Sequence, residues 1–173
     1  IASEGSQYGQ VAYSFPLNPN GLRLSLSSSY MNYRTIGDFS GVKGNSTTIG
    51  MNLSYPILRS QASNMNATVG FDQKTYGNKN TATDADTSRY QVKNFTAGLS
   101  GNHYDELWGG GINNLSLTLT RGQVNVNDST PTYGVNNGKT FVKLNTHLSR
   151  NQQLIVDSTV LTVTISGQWA STN

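Results

Sequence analysis

The chain has 173 residues and no cysteine, which excludes disulfides and thiol chemistry. Its net charge of +3 comes from scattered lysines and arginines, so no nucleic-acid partner is expected. Only 35% of the residues are hydrophobic, and no apolar run reaches the ~18 residues of a membrane-spanning helix. A soluble all-β protein and a membrane β-barrel both fit this composition, because a barrel wall alternates lipid-facing and polar residues.

The chain begins with two alternating strands joined by a proline- and asparagine-rich turn at residues 16–21. A period of two is the strand signature, since successive side chains point to opposite faces. The apolar residues that share one face are Val11, Tyr13 and Phe15 before the turn and Leu22, Leu24 and Leu26 after it. No signal peptide is visible before this hairpin, and we take the chain to be a mature or excised segment.

Further stretches alternate in the same way. They are residues 46–55, 64–71, 89–100, 112–126, 139–149 and a last strand around 161–169. Val92 is out of phase with its strand, which predicts a bulge there or a change of environment near the loop. We expect polar tips of about a dozen residues at 34–45, 77–88 and 127–138, opposite compact turns after Phe15, Tyr55 and Ser149.

These patterns predict about eight strands in four hairpins, an all-β antiparallel up-and-down arrangement. Short turns on one side and long loops on the other are typical of transmembrane barrels, whereas a sandwich would use Greek-key connections. The residues predicted to face lipid are Leu22, Leu24, Leu26, Leu115, Leu117, Leu119, Leu161, Val163 and Ile165. The aromatic residues predicted at the membrane interfaces are Tyr13, Phe15, Tyr55, Trp108 and Trp169.

Five charged or titratable residues are in phase with the serine, threonine and asparagine side of their strands, and we expect them to face a lumen. They are Arg23, Asp72, Lys74, Lys143 and His147. One interpretation is that they line the path of a passing polypeptide. The other is that they pair with one another or with lumen elements outside this chain, as buried charges must.

Three short clusters resemble fragments of ligand sites: His103 with Asp105 and Glu106, the glycine run 109–111, and Asp84 with Asp86. None has the spacing of a metal site, a phosphate loop or a calcium loop, and no nucleophile elbow occurs. We therefore predict no catalytic, cofactor or metal-binding residue, and polar turns or loop tips at these positions.

Several consecutive segments resemble barrel hairpins of a known family. They are GQVAYSFPLNPNGLRLSLSSSYMNYR, TTIGMNLSYPILRSQASN, FTAGLSGNHYDELWGGGINNLSLTLTRGQV, FVKLNTHLSR and TISGQWAS. In this order they look like the TpsB two-partner secretion transporters of the haemolysin secretion/activation family. The likeness covers nearly the whole chain.

The resemblance implies an outer-membrane barrel of Gram-negative bacteria that exports one unfolded exoprotein, such as an adhesin, a haemolysin or a contact-dependent toxin, and uses no cofactor. It implies that residues 1–173 are a partial barrel domain, with the periplasmic POTRA domains and the C-terminal barrel strands outside it. Membrane lipid is then a partner, and open sheet edges would allow self-association. A passive porin and a soluble extracellular β-sandwich that binds a ligand remain alternatives.

Overall fold

The computed structural model describes residues 2–3, 5–34, 41–126, 138–154 and 159–172. Nine strands and one 3-10 turn, Leu107–Gly109, account for most of them. The strands are β1 (Ala2–Ser3), β2 (Ser6–Pro16), β3 (Arg23–Arg34), β4 (Val42–Arg59), β5 (Ser63–Asn80), β6 (Asp86–Asp105), β7 (Gly111–Val126), β8 (Thr140–Gln153) and β9 (Val160–Thr172). No helix among these residues is long and apolar enough to cross a membrane.

The strands form one antiparallel sheet in which each strand pairs with the next along the chain, from β1 to β9. Eight of them are long, and the two-residue β1 pairs with the start of β2. The predicted all-β up-and-down fold is therefore confirmed. Among the described residues the sheet is open, with edges at β9 and at the β1–β2 side.

The strands are longer than predicted, because ladder hydrogen bonds join backbones and continue through polar sequence. The polar tip predicted at 77–88 is wrong: β5 and β6 extend into it and leave a connection of residues 81–85. Strand β8 runs through the turn predicted at 150–153, and β2 begins at Ser6. Leu22 lies in the turn just before β3. Most of the loop predicted at 127–138 falls outside the described residues.

Of the two alternatives for Val92, the bulge is wrong. Val92 pairs in register with Lys74 on one side and Val124 on the other. The register shifts instead between residues 56 and 58 of β4 and between residues 78 and 79 of β5. Val92 and its partner Val124 are thus two apolar residues on the polar face of the sheet.

The register aligns apolar residues of eight strands into one face. A single row across the sheet reads Phe15, Leu24, Leu53, Val69, Ala97, Leu119, Leu144 and Trp169. The next residue of each strand points to the opposite, polar face. No hydrophobic side chain is buried among the described residues, so this single layer has no core of its own.

Side chains crowd on the polar face and splay on the apolar face. Asn94 and Thr120 on the polar face are 9% and 8% exposed, whereas Val11 and Ile165 on the apolar face are 75% and 65% exposed. This difference indicates that the sheet curls toward its polar face. Glycine relieves the crowding, since a Cβ at Gly98 would lie 2.5 Å from the Thr68 hydroxyl oxygen.

A candidate membrane belt and its polar opposite face

The apolar residues form a band of limited height, which we call the apolar belt. In β5 the belt residues alternate from Met65 to Phe71, between polar Ser63 and Gln73 on the same face. The ten residue steps from Ser63 to Gln73 span ~33 Å along a strand, or ~25 Å of depth for a strand tilted by ~40°, and the apolar residues between them occupy six of these steps. The distance between the two polar borders is thus comparable to the ~25 Å apolar band of outer-membrane barrels.

One hydroxyl group inside the belt forms a hydrogen bond within the sheet. The Thr146 side chain lies between Leu144 and Leu148 on the apolar face, and its hydroxyl donates a hydrogen bond to the Gly167 carbonyl oxygen over 3.3 Å. An unpaired hydroxyl would be costly in an apolar medium. The belt thus remains compatible with contact to hydrocarbon at this position.

A hydrogen-bonded network, which we call the turn-end network, closes the belt at the β6–β7 turn. The Arg150 guanidinium donates to both carboxylate oxygens of Asp105, over 2.6 and 2.9 Å. The Asn113 amide also donates to Asp105, over 2.6 Å. The Gln152 amide donates to the backbone carbonyl of Gly110 over 2.9 Å and to neighbouring carbonyls of the turn. The network ties β6, β7 and β8 together.

Trp108 stands at the apex of this turn. Its side chain is 81% exposed, and its backbone has φ of +53°, a left-handed conformation that is uncommon for a bulky residue. The glycine run predicted as a turn follows at once, with positive φ at Gly109 and Gly110. The predicted turn at 109–111 is therefore present, and Trp108 projects from it.

Polar and basic residues close the belt at the opposite, loop end. Gln73, Lys93, Gln123 and Thr140 form one row across β5 to β8 on the apolar face. Arg121 lies one row closer to the belt, directly opposite Phe95. A groove of about 450 Å³ lies here, lined by Lys93, Phe95, Arg121, Gly122, Gln123 and Thr140.

The polar face carries hydroxyls, amides and glycines, with few charges. Its central rows include Ser25, Asn52, Gly70, Thr96 and Thr120 and, one row on, Ser54, Thr68, Gly98, Thr118 and Asn145. Toward the loop end this face becomes aromatic, with the Tyr76 and Tyr90 rings stacked at 4.8 Å. The Tyr33 hydroxyl donates a hydrogen bond to Asn78 in the same region.

The five predicted lumen residues all occupy the polar face, but the structure does not gather them into one site. They lie in separate rows of the sheet. Asp72 accepts a hydrogen bond from Asn94 over 2.9 Å and lies 3.9 Å from Lys74. Arg23 contacts the Ser14 hydroxyl and His147 the Ser166 hydroxyl. Asp72 and Lys74 thus lie beside each other, whereas Arg23 and His147 contact neutral hydroxyls, and the lumen-facing role of the five residues stays a prediction.

The predicted lipid-facing residues lie on the apolar face of their strands, with Leu22 in the turn before β3. Of the predicted interface aromatics, Tyr13, Phe15, Tyr55 and Trp169 share that face, and Trp108 is in the β6–β7 turn. The rings of Tyr13 and Phe15 are 5.7 Å apart. What these residues contact outside the chain stays a prediction.

The clusters that resembled ligand sites are engaged in protein contacts. His103 hydrogen-bonds the Ser63 hydroxyl over 2.7 Å, and Asp105 belongs to the turn-end network. No group of three or more histidine, aspartate or glutamate residues is arranged to hold a metal ion within the described part of the chain.

Asp84 is held by basic residues at the exposed β5–β6 connection. Its carboxylate is 2.6 Å from the Lys43 ammonium and 3.5 Å from that of Lys79. The hydrogen bond from Lys43 and the charges of both lysines lower the pKa of the Asp84 carboxyl below its ordinary value of 3.8. Lys79 also lies 3.8 Å from Asp86. The acidic residues of this tip thus neutralise the lysines beside them.

Sequence reasoning missed the turn-end network and the basic loop-end border. The members of the network come from positions up to 45 residues apart, so no local pattern links them. A signal for the basic border was present in the sequence, since Lys93 and Arg121 interrupt the apolar alternation of β6 and β7.

Comparison with curated proteins and with solved structures finds no match. Residues 2–173 match the model of the family described as Haemolysin secretion/activation protein ShlB/FhaC/HecB, whose members are two-partner secretion transporters of the Gram-negative outer membrane. The match covers almost the whole chain. The antiparallel all-β sheet and the geometry of the apolar belt agree with it. The chain therefore belongs to the ShlB/FhaC/HecB family of haemolysin secretion/activation proteins.

Proposed function

We propose that this chain forms part of the wall of an outer-membrane channel through which one partner exoprotein leaves the cell unfolded. In this proposal the apolar belt faces lipid and the polar face lines the lumen. The exoprotein belongs to the adhesin, haemolysin or contact-dependent toxin class, and transport makes and breaks no covalent bond. The single observation that carries the proposal is the continuous apolar belt on one face of a one-layer sheet.

The energetics favour a lipid environment for the belt. Phe95 is 61% exposed and Trp169 is 59% exposed, and neither has a second protein layer to cover it among the described residues. Apolar surface in water costs about 25 cal/mol per Å². Contact with acyl chains removes that cost, so the protein needs no core of its own. A β-sandwich, by contrast, would need a second sheet over this face.

The composition of the polar face suits a moving polypeptide. Hydroxyl and amide groups such as Thr118 and Asn145 can exchange hydrogen bonds with a passing backbone or with water. Such bonds contribute only about 0.5–1.5 kcal/mol net each, so the chain can detach from one and reach the next. Isolated charges such as Arg23 and Lys143 keep the lumen hydrated.

The strand ends support an orientation across the membrane. Strands β5 and β6 continue to Asn80 and from Asp86, about seven residues beyond the belt border at Gln73 and Lys93. At the turn end β5 begins at Ser63, directly at the border. Outer-membrane barrels have longer loops on the extracellular side and short turns on the periplasmic side. We therefore propose that the loop end faces outward.

Cysteine substitution tests the proposal, because the chain contains no native cysteine. Leu117 and Thr118 are consecutive in β7 and lie on opposite faces at nearly the same depth. In membranes containing the full transporter, Thr118→Cys should react with a water-soluble maleimide, and Leu117→Cys should react only with a membrane-soluble one. Equal reaction of both with the water-soluble reagent would refute the assignment of faces.

The same variants distinguish secretion from a passive pore. With an exoprotein arrested in transit, a cross-linker on Thr118→Cys should capture it, and one on Leu117→Cys should not. Capture identifies a polypeptide path. A channel that labels correctly but never yields the cross-linked exoprotein would be a passive porin.

A further inference from the structure

Three basic residues, Arg89, Lys93 and Arg121, lie on the apolar face just beyond or at the loop-end border of the belt, and we call them the basic patch. Lys93 is opposite Gln123, and Arg121 is opposite Phe95, so the two basic residues are diagonal neighbours on one face. Diagonal neighbours are within reach of long side chains. Arg89 follows on the same face of β6, four residues further out.

The basic patch has no acidic partner among the described residues. The ion pairs there join Lys43 and Lys79 to Asp84 and Asp86, Lys74 to Asp72, and Arg150 to Asp105. Lys93, Arg121 and Arg89 take part in none of them. At the loop end, Lys43, Lys74 and Lys79 are paired with carboxylates, whereas the three residues of the patch, like Arg34 and Lys139, take part in none of the ion pairs among the described residues.

The basic patch continues the belt directly and has space for a ligand. The groove of about 450 Å³ has Phe95 on its belt side and Lys93, Arg121 and Gln123 around it. A second groove of about 250 Å³ lies further toward the loop end of β6 and β7, lined by Thr75, Arg89, Tyr90, Gln91, Asn125 and Val126. The side chains therefore change from apolar to cationic to amide within a few residues along β6.

We propose that the basic patch binds the phosphate groups of the phosphorylated glycolipid of the outer leaflet. The inference rests on the proposed function, because it needs the belt in lipid and the loop end outward. At the belt border a lipid presents its headgroup, and an anionic headgroup complements unpaired cations. Arg121 can hold a phosphate with two parallel hydrogen bonds, while Lys93 adds a point charge. Phe95 then packs against the first acyl carbons.

The position excludes the exoprotein as the occupant in this proposal. The basic patch shares the face of the belt, while a transported chain would pass along the opposite face. If the basic patch bound no lipid phosphate, its side chains would extend toward water beside the lipid, as long basic side chains do at membrane borders. A patch that binds phosphate retains phosphate-bearing lipid, and a patch that only extends toward water does not.

Lipid retention by the full-chain protein in nanodiscs tests the inference. The nanodiscs contain phosphatidylcholine with bis-phosphorylated lipid A as the probe, and mass spectrometry measures the lipid A that remains with the protein after detergent extraction. Each basic residue near an anionic surface contributes about fivefold, so Lys93→Gln with Arg121→Gln should lower retention about 25-fold. Lys93→Arg should retain lipid A, and Lys143→Gln, on the polar face, is the matched control and should not change retention.

Several outcomes would overturn the inference. They are equal retention by the double variant and the wild type, equal retention of lipid A without its phosphates, and displacement of lipid A by inorganic phosphate alone. If the double variant fails to insert, each single variant should still lose about fivefold, and no loss in either would refute the patch. Insertion is measured separately in phosphatidylcholine membranes. If the wild type fails to insert, the proposal that the apolar belt faces lipid is refuted as well. If the double variant inserts normally and its lipid A retention is unchanged, only the proposal that the basic patch binds lipid phosphate is refuted.

Discussion

An arginine placed at the middle of the belt should destabilise the inserted protein, and Leu117 is the position to use. Leu117 lies between Leu99 and Thr146 in its row, four residues from Asn113 at the turn-end border and six from Gln123 at the loop-end border. These steps are ~13 Å and ~20 Å along a strand, or ~10 Å and ~15 Å of depth at a tilt of ~40°. The charge would therefore lie within a few ångströms of the midplane of the belt.

The expected cost of Leu117→Arg is about 2–4 kcal/mol in the free energy of unfolding from the membrane. Thr118→Arg is the matched variant, since it introduces the same charge one residue later on the polar face. Gly98, which has no side chain, lies directly opposite Thr118, and the Thr68 hydroxyl occupies the place where its Cβ would be. We expect Thr118→Arg to change the free energy of unfolding by no more than about 0.5 kcal/mol. Leu117→Ala controls for the loss of the leucine itself.

Reversible urea unfolding in liposomes, followed by tryptophan fluorescence, measures these free energies. Both substitutions introduce the same residue into the same strand, so the added side chain and its charge are identical in the comparison. A cost for Leu117→Arg that matches the cost for Thr118→Arg would refute the reasoning, because the two faces would then contact the same medium.

Two further predictions concern contacts beyond the belt. A Cβ at Gly122 would overlap the Phe141 ring and lie 2.7 Å from the Asn94 side-chain oxygen, so Gly122→Ala should lower the free energy of unfolding by about 1–3 kcal/mol. Most of that loss should disappear in a Phe141→Ala background, and a double-mutant cycle would show additivity if the ring were not responsible. The pKa of Asp84 should lie below 3.8 in the folded protein and return toward 3.8 in Lys43→Gln, as followed by carboxyl NMR. Because the folded pKa is the lower one, the stabilisation of the 81–85 connection by Asp84 is present above pH 3.8 and is lost as the pH falls through the folded pKa; an unchanged pKa in Lys43→Gln would contradict this.

Alternation alone was enough to assign the two faces of the sheet. Leu115, Leu117 and Leu119 alternate with hydroxyl residues, and a strand has only two faces, so local sequence decides which residues lie together. The same reasoning found Arg23 and Lys143 on the polar face. It misplaced the ends of β5 and β6, because polar residues do not interrupt a ladder of backbone hydrogen bonds.

The register between strands decided everything that depends on neighbours across the sheet. The Asp105–Arg150 pair spans 45 residues, and the diagonal placement of Lys93 and Arg121 depends on how β6 and β7 align. Alternation repeats every two residues and is unchanged by sliding one strand by two positions, so it cannot specify such contacts. The faces of this protein were therefore readable from its sequence, whereas the borders of the belt required the tertiary structure.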